Sequence, residues 1–392
     1  MISVSEAKQI ILDATNLTII KKKTLLDAFS HVLAEDVISP NDIPNFAQSS
    51  MDGYAIKFED RDDTLKVIGE MAAGTPTKLT IHKGEATRIF TGAPLPDGAD
   101  TVVMQEKIRR DGNKLILADD NLLEGLNVRP KGAEARKGEI AIAKGTYLSS
   151  AALGFLAGIG CTDVGVFSAP SVALILTGNE LQQPGKALEF GQVYEANSVS
   201  LGSALKKAGI TEIEIFTAED SPEQLQMVLK SALEKHDIIL LNGGVSVGDY
   251  DYVVSSAEAC GVEQYFHKIK QKPGKPLFFG TKQEKLVFGL PGNPSSSLTC
   301  FYEYVLPALE KILRKENSVR ENKAILTHDY AKPAGLTHFV KAFYDNGQVT
   351  PLHAQESFRL HSFAQANCFI VLDEDCAGCE AEDVVNVHLL PI

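Results

Sequence analysis

DIILLNGGVSVGDYDYV, residues 237 to 253, decides the fold. The apolar run from Ile238 to Leu241 suits one strand buried on both faces, and it runs directly into Gly243 and Gly244. SVALILTG at 171–178, ITEIEIFTA at 210–218 and KLVFGL at 285–290 repeat the pattern, with helical stretches in between. After ITEIEIFTA comes Asp220-Ser221-Pro222-Glu223, an N-cap serine with proline at the first helical position. Alternating strands and helices of this kind predict a doubly wound α/β domain over 171–318.

Outward from this domain the texture changes. Residues 3–15 put Val4, Ala7, Ile10, Ile11 and Ala14 on one helical face, and TLLDAFSHVLAE at 24–35 predicts a second amphipathic helix. From 41 to 140, short β-rich runs such as LKVIGEM and DTVVMQEKI alternate with Gly/Pro turns, which predicts a small β domain. YLSSAALGFLAGIG at 147–160 returns to helix, so the β domain is read as an insertion between helical segments 1–40 and 141–170. KAILTHDY, HFVKAFYD, GQVTPL and DVVNVHLL predict a second small β domain over 319–392.

The chain has 392 residues, and about 150 residues per domain implies roughly two to four domains. A formal net charge of −13 argues against general nucleic-acid binding. No apolar run reaches the ~18 residues of a membrane span, Glu6 and Lys8 interrupt any signal-like core, and six cysteines suit a reducing compartment. A cytoplasmic protein is expected. Cys376 and Cys379 form a CxxC without a second pair at zinc-finger spacing, and read as an incidental pair in a surface turn.

Ligands of open α/β sheets bind beyond the carboxyl ends of the strands. Asn179-Glu180 stands at one such end, Gly243, Gly244, Ser246, Gly248, Asp249 and Asp251 at another, and Pro291-Gly292-Asn293-Pro294-Ser295 at a third. Glycine loops and helix N-termini turn N–H groups towards an anion, so the loops at 243 and 292 are candidate anion cradles. KIKQKPGK adds Lys268, Lys270, Lys272 and Lys275 to an otherwise acidic protein, with Pro273-Gly274 breaking the run. Carboxylates such as Asp251 repel phosphates unless something positive mediates. On their own residues, Asp52 in SSMDGYA and the stretch RIFTGAPLPDGAD at 88–100 read as turns.

Together FAQSSMDGYA, IFTGAPLPDGAD, LTGNEL, LLNGGVSVGDYDYV, KPGKP and LPGNPSSS resemble, in order, the motifs of the MoeA family of molybdopterin molybdenumtransferases. The resemblance implies a multidomain α/β plus β protein: a helical linker domain, an inserted β domain, the molybdopterin-binding α/β domain and a C-terminal β barrel. It implies insertion of molybdenum from molybdate into adenylylated molybdopterin, with Mg²⁺ as cofactor and release of AMP. It also implies a homodimer whose active site is shared between subunits, and transient contact with a molybdopterin adenylyltransferase. Asp52, Thr91, Glu180, Asp220, Asp251, Lys268, Lys272 and Lys275 match family positions tied to binding or turnover. Glu134, in Gly132-Ala133-Glu134, stands where the family often has aspartate, and Arg129 follows Asn127-Val128 as the family's arginine does. Glu180 and Asp251 are the expected Mg²⁺ ligands. The C-terminal domain departs further from the pattern, with Lys341 in place of an arginine and Gln355-Glu356-Ser357-Phe358 in place of a Gly/Ser-rich turn. Two rival readings are a molybdopterin adenylyltransferase and a non-catalytic scaffold.

Overall fold

The computed structural model describes residues 1–245 and 252–391. The chain parts into two compact units, one made of residues 1–21 and 167–392, the other of residues 22–166.

In the first unit a six-stranded sheet runs in the order 213–218, 172–177, 238–242, 285–290, 278–282, 263–266. The first four strands are parallel, 278–282 runs antiparallel to them, and 263–266 pairs antiparallel with 278–282. Burial alternates sides with the two-residue period of the pleat. Val172, Leu174 and Leu176 pack with Leu201 and Leu205 of the helix Asn197–Lys207. Ala173 and Ile175 pack with Leu225, Leu229 and Leu233 of the helix Pro222–Lys235. Ser221 caps that second helix by accepting the Gln224 N–H at 3.2 Å, as the sequence predicts. From the 172–177 strand the chain goes first to one neighbour, 213–218, and later to the other, 238–242. The carboxyl ends of 172–177 and 238–242 therefore flank a topological switch point, where a crevice opens.

The helix Val4–Ala14 forms where its apolar face predicts, with Ser3 and Glu6 making a capping box, and it buries Ala7 and Ile11 in the α/β core. The helix expected at 24–35 does not form. Ile20–Thr24 and Val32–Leu33 are strands that flank Asp163–Phe167 in one small sheet, with turns between. Ser30 adopts φ +62°, which breaks a helical run, and Val32 and Leu33 are buried by strand pairing instead. A helix does form at Ser150–Gly158.

In the second unit six strands assemble in the order 101–104, 53–56, 85–89, 65–71, 114–117, 108–111. At the carboxyl end of the first unit, the strands 337–345, 348–351, 320–326, 384–389 and 368–372 pair in that order, and the last returns to the first, closing a five-stranded barrel. Leu326, Val340, Val349, Ile370 and Val387 fill it. Gln271–Lys272 adds alongside Thr337–His338, which brings the lysine-rich segment to the barrel. Among the described residues no helix is long and apolar enough to cross a membrane.

Candidate active site

At the switch point lies a cleft of about 670 Å³ walled by the ends of the 172–177, 238–242 and 285–290 strands. Gly243 adopts φ +95°, and a Cβ there would stand 2.6 Å from Thr177 Oγ1 and 2.7 Å from the Thr177 carbonyl. Only glycine lets the two strand ends approach this closely. Glu180 and Asp220 line the same cleft. Asp220 accepts the Asn179 N–H at 3.1 Å while Asn179 Oδ1 accepts the Asp220 N–H at 3.4 Å, so each loop fixes the other.

The loop at 291–295 is held from below. Asn242, buried at the end of its strand, donates to the Pro291 carbonyl at 3.0 Å and to Ser297 Oγ at 2.8 Å. Its Oδ1 accepts from Asn197 Nδ2, which also reaches the Gly292 carbonyl at 2.8 Å. Pro294 opens a continuous helical run to Ile312. Asn293 donates to Ser357 Oγ at 2.8 Å, and the Ser295 N–H is taken by the Ser357 carbonyl at 3.1 Å. Among the described residues the buried Ser295 hydroxyl has no partner.

A second cavity of about 860 Å³ is walled by Lys272, Lys275, the Gln355–Phe358 turn and the barrel. Both lysines are exposed at its rim. Gln271 between them and the core is fully buried, and its amide donates to the carbonyls of Pro273 at 3.0 Å and Gly274 at 3.2 Å. Its Oε1 accepts the Tyr304 hydroxyl. Lys268 walls neither cavity; its carbonyl receives the Ile2 N–H, and Lys270 is paired with Glu374 at 3.2 Å. Lys341 is 1% exposed and donates to the carbonyls of Ala354 at 2.9 Å and Arg359 at 3.0 Å, shaping the divergent turn from behind. Burial pushes its pKa down to about 8.

In the second unit Asp52 Oδ1 accepts both the backbone N–H and the hydroxyl of Thr91 at 2.8 Å. Those bonds, the amide first, hold its carboxyl below the usual carboxylate range, helped by the Arg88 charge. Ser49 pairs with Val128, and Gln48 with Arg129, so the segments carrying Asp52 and Arg129 run side by side. Arg129 is exposed there. Glu134 is also exposed, on the turn whose backbone bonds to Ile43, with no bond joining it to Asp52. Ser246, Gly248, Asp249 and Asp251 lie outside the described residues.

Sequence reasoning missed Asn197, Asn242 and Gln271 as organisers of these loops, and marked Lys341 only as standing in place of an arginine. Asn242 carried a visible signal, a polar residue closing a strand otherwise buried on both faces, and Gln271 a fainter one as the polar uncharged residue among the lysines. Asn197 carried none.

Among the described residues no three His, Cys, Asp or Glu side chains gather as a metal cluster. The cleft nevertheless offers two hard oxygen donors, Glu180 and Asp220. Mg²⁺ is usually held by one or two carboxylates plus substrate phosphates, so this donor set fits that cation completed by substrate oxygens.

Three family descriptions match along the chain: the MoeA N-terminal region (domain I and II) over residues 2–160, a probable molybdopterin binding domain over 173–311, and the MoeA C-terminal region (domain IV) over 323–390. A molybdopterin molybdenumtransferase of Haemophilus influenzae is 33% identical over 379 residues, covering 93% of this chain and 94% of the relative. One from Staphylococcus aureus is 34% identical over 376 residues, covering 92% and 89%. The crystal structure of the molybdopterin biosynthesis MoeA protein from Pyrococcus horikoshii superposes with a TM-score of 0.87 at 31% identity, over 99% of both chains. With its three regions matched in order and its relatives covered almost end to end, the chain belongs to the MoeA family.

Proposed function

We propose that the protein inserts molybdenum from molybdate into adenylylated molybdopterin and releases AMP. The observation that carries this reading is a shared wall. Pro276, Pro291, Asn293 and Phe358 line both the acid-bearing cleft and the lysine-bearing cavity, so two kinds of anion can sit side by side. The nucleotide-pterin, with its pyrophosphate, suits the glycine-bordered cleft, and molybdate suits the lysine rim.

Lys272 and Lys275 bind and orient anionic oxygens, while the loops at 243 and 292 bring backbone close to the substrate. Asp52 and Thr91 form a rigid acceptor and donor pair that orients substrate. Glu180 and Asp220, with Asp251, would hold Mg²⁺, which when bound offsets phosphate charge and orients the pyrophosphate. No protein nucleophile is required. The pterin's dithiolene sulfurs take the molybdenum, and attack at the pyrophosphate falls to water or a molybdate oxygen.

We further infer a cytoplasmic homodimer in which the Asp52 and Thr91 pair of one subunit serves the cleft of the other, and transient contact with the adenylyltransferase that supplies the substrate. A net charge of −13 speaks against nucleic acid as a partner. If subunits share the site, mixing Asp52→Ala with Glu180→Ala protein restores activity through heterodimers carrying one intact site. Confirmed subunit exchange with no recovered activity would refute it.

The reaction itself is tested by incubating purified protein with adenylylated molybdopterin and Mg²⁺ and measuring AMP with and without molybdate. Molybdate-dependent AMP release is expected. ATP consumption with free molybdopterin would instead assign the protein to adenylylation, and binding without turnover would make it a scaffold.

A further inference from the structure

Cys376 and Cys379 take no part in the proposed reaction, yet their arrangement is not that of two unrelated residues. Both are part-exposed, and their sulfurs lie 3.8 Å apart. The Cys376 sulfur receives the Gly378 N–H at 3.4 Å and donates to the Gly378 carbonyl at 3.1 Å. Gly378 has φ +136°, and a Cβ there would lie 2.9 Å from the Tyr330 carbonyl. The turn can close in this way only with glycine between the cysteines.

The turn is anchored at both ends. Gly378–Cys379 pairs with Tyr330–Ala331, the Cys376 N–H is taken by the Asp373 carbonyl at 3.1 Å, and the Glu374 carbonyl receives the Gly335 N–H at 2.7 Å. Two thiols on an anchored turn are held at high effective concentration, which favours ring closure over attack by separate molecules. A disulfide needs the sulfurs at about 2.05 Å, so closure requires a local approach of under ~2 Å.

The other four thiols lack this arrangement. Cys300 and Cys368 are buried, and burial pushes both thiols up, Cys368 to about 12. Cys161 and Cys260 are part-exposed but have no second sulfur beside them.

We propose that Cys376 and Cys379 are a reversible dithiol–disulfide site that exchanges with low-molecular-weight disulfides. The Cys376 thiolate attacks one sulfur of a disulfide RSSR, forming a mixed disulfide and expelling RS⁻. Cys379 then loses its proton to solvent and attacks the Cys376 sulfur, expelling a second RS⁻ that takes up a proton. The two protein thiols are oxidised by two electrons, and RSSR is reduced to two RSH. Cys376 is the first nucleophile because the Gly378 N–H points at its sulfur, whereas burial and the adjacent Cys376 push the Cys379 thiol up to about 11.

The test uses the whole native protein and oxidised glutathione. After incubation and acid quench, the protein is denatured, alkylated and mapped by mass spectrometry. The peptide carrying both cysteines should lose both alkyl groups, become two hydrogens lighter and carry no glutathione, and reduced thiol should restore it. Cys379→Ser should trap a single glutathione on Cys376, with an unchanged circular dichroism spectrum showing that it is folded. Full alkylation of both cysteines in the native protein, or stable glutathione on each, would overturn the proposal.

Discussion

The carboxylate of Asp52 takes two hydrogen bonds from one residue, Thr91, through its amide and its hydroxyl, both at 2.8 Å. Both bonds end on the same oxygen, Oδ1, and fix its position. They stabilise the charged form, which is why the Asp52 pKa is lowered. A carboxyl whose folded pKa is depressed adds stability above its unfolded pKa, and that stability is lost as pH falls through the folded value. Thr91→Val removes the hydroxyl bond and keeps the amide bond. The Asp52 titration, followed by carboxyl carbon NMR, should move up towards the ordinary range while the residue stays ionised at neutral pH. Turnover should fall with little change in thermal midpoint. An unmoved titration would show that the hydroxyl bond does not form in solution.

The lysine rim and its support make separable contributions. Lys272 and Lys275 are exposed, so replacing either with Ala should leave stability within about 0.5 kcal/mol. Anion binding should weaken by roughly one to two decades per lysine, from charge-assisted bonds of about 1.5 to 3 kcal/mol. Gln271→Leu should behave differently. It strands the part-buried Pro273 carbonyl, the buried Gly274 carbonyl and the Tyr304 hydroxyl, at about 1 to 3 kcal/mol for each buried group left unpaired. Denaturant unfolding and molybdate binding, measured on all three variants, should show Gln271→Leu losing both stability and affinity. Equal stability of Gln271→Leu and wild type would refute the bracing role.

Much of this frame is legible in the amino-acid sequence, and the physical reason is the pleat. Ile238 to Leu241 and Val172 to Leu176 are buried on both faces, so their apolar runs are continuous and mark the strands directly. Local turn chemistry does the same for Ser221-Pro222 and for Gly243. What cannot be read is what depends on distant partners. Val32 and Leu33 satisfy their apolar character in a sheet with residues from 163 onward, which no local period reveals. Asn197 and Asn242 meet across 45 positions, and Gln271 and Tyr304 across 33. Asp52 reads as a turn residue because its partner, Thr91, is 39 positions away.

The Asn197 and Asn242 pair should be energetically coupled. Asn197 Nδ2 stands 2.7 Å from Asn242 Oδ1, both side chains are buried, and both reach carbonyls of the loop at 291–292. Residues in one buried network usually show interaction energies of about 0.5 to 3 kcal/mol. A double-mutant cycle with Asn197→Ala and Asn242→Ala should therefore be non-additive. The second substitution should cost less once the first is made, because the loop is already released. Strict additivity would mean that the two amides hold the loop independently.

Lys341 predicts an unusual dependence on alkaline pH. Lys341 is 1% exposed, its ammonium meets two carbonyls and, among the described residues, no carboxylate within salt-bridge distance, and burial lowers its pKa to about 8, against 10.5 when unburied. Between those two values the unfolded chain binds more protons than the folded one at this residue, so its contribution to stability rises with pH. Below about pH 8 both states are charged there, and the contribution is flat. Lys341→Met removes the titration while leaving the Ala354 and Arg359 carbonyls without their donor, so the variant should be less stable at neutral pH. The gap between wild type and variant should then widen from pH 8 towards 10.5. Lys341→Arg stays charged throughout this range and should also lack the rise. Thermal midpoints of the three proteins across about pH 7 to 11 give the comparison, with shared alkaline titrations cancelling between them. A constant gap would mean that Lys341 keeps an ordinary lysine pKa and that its two carbonyl bonds fully offset the loss of water.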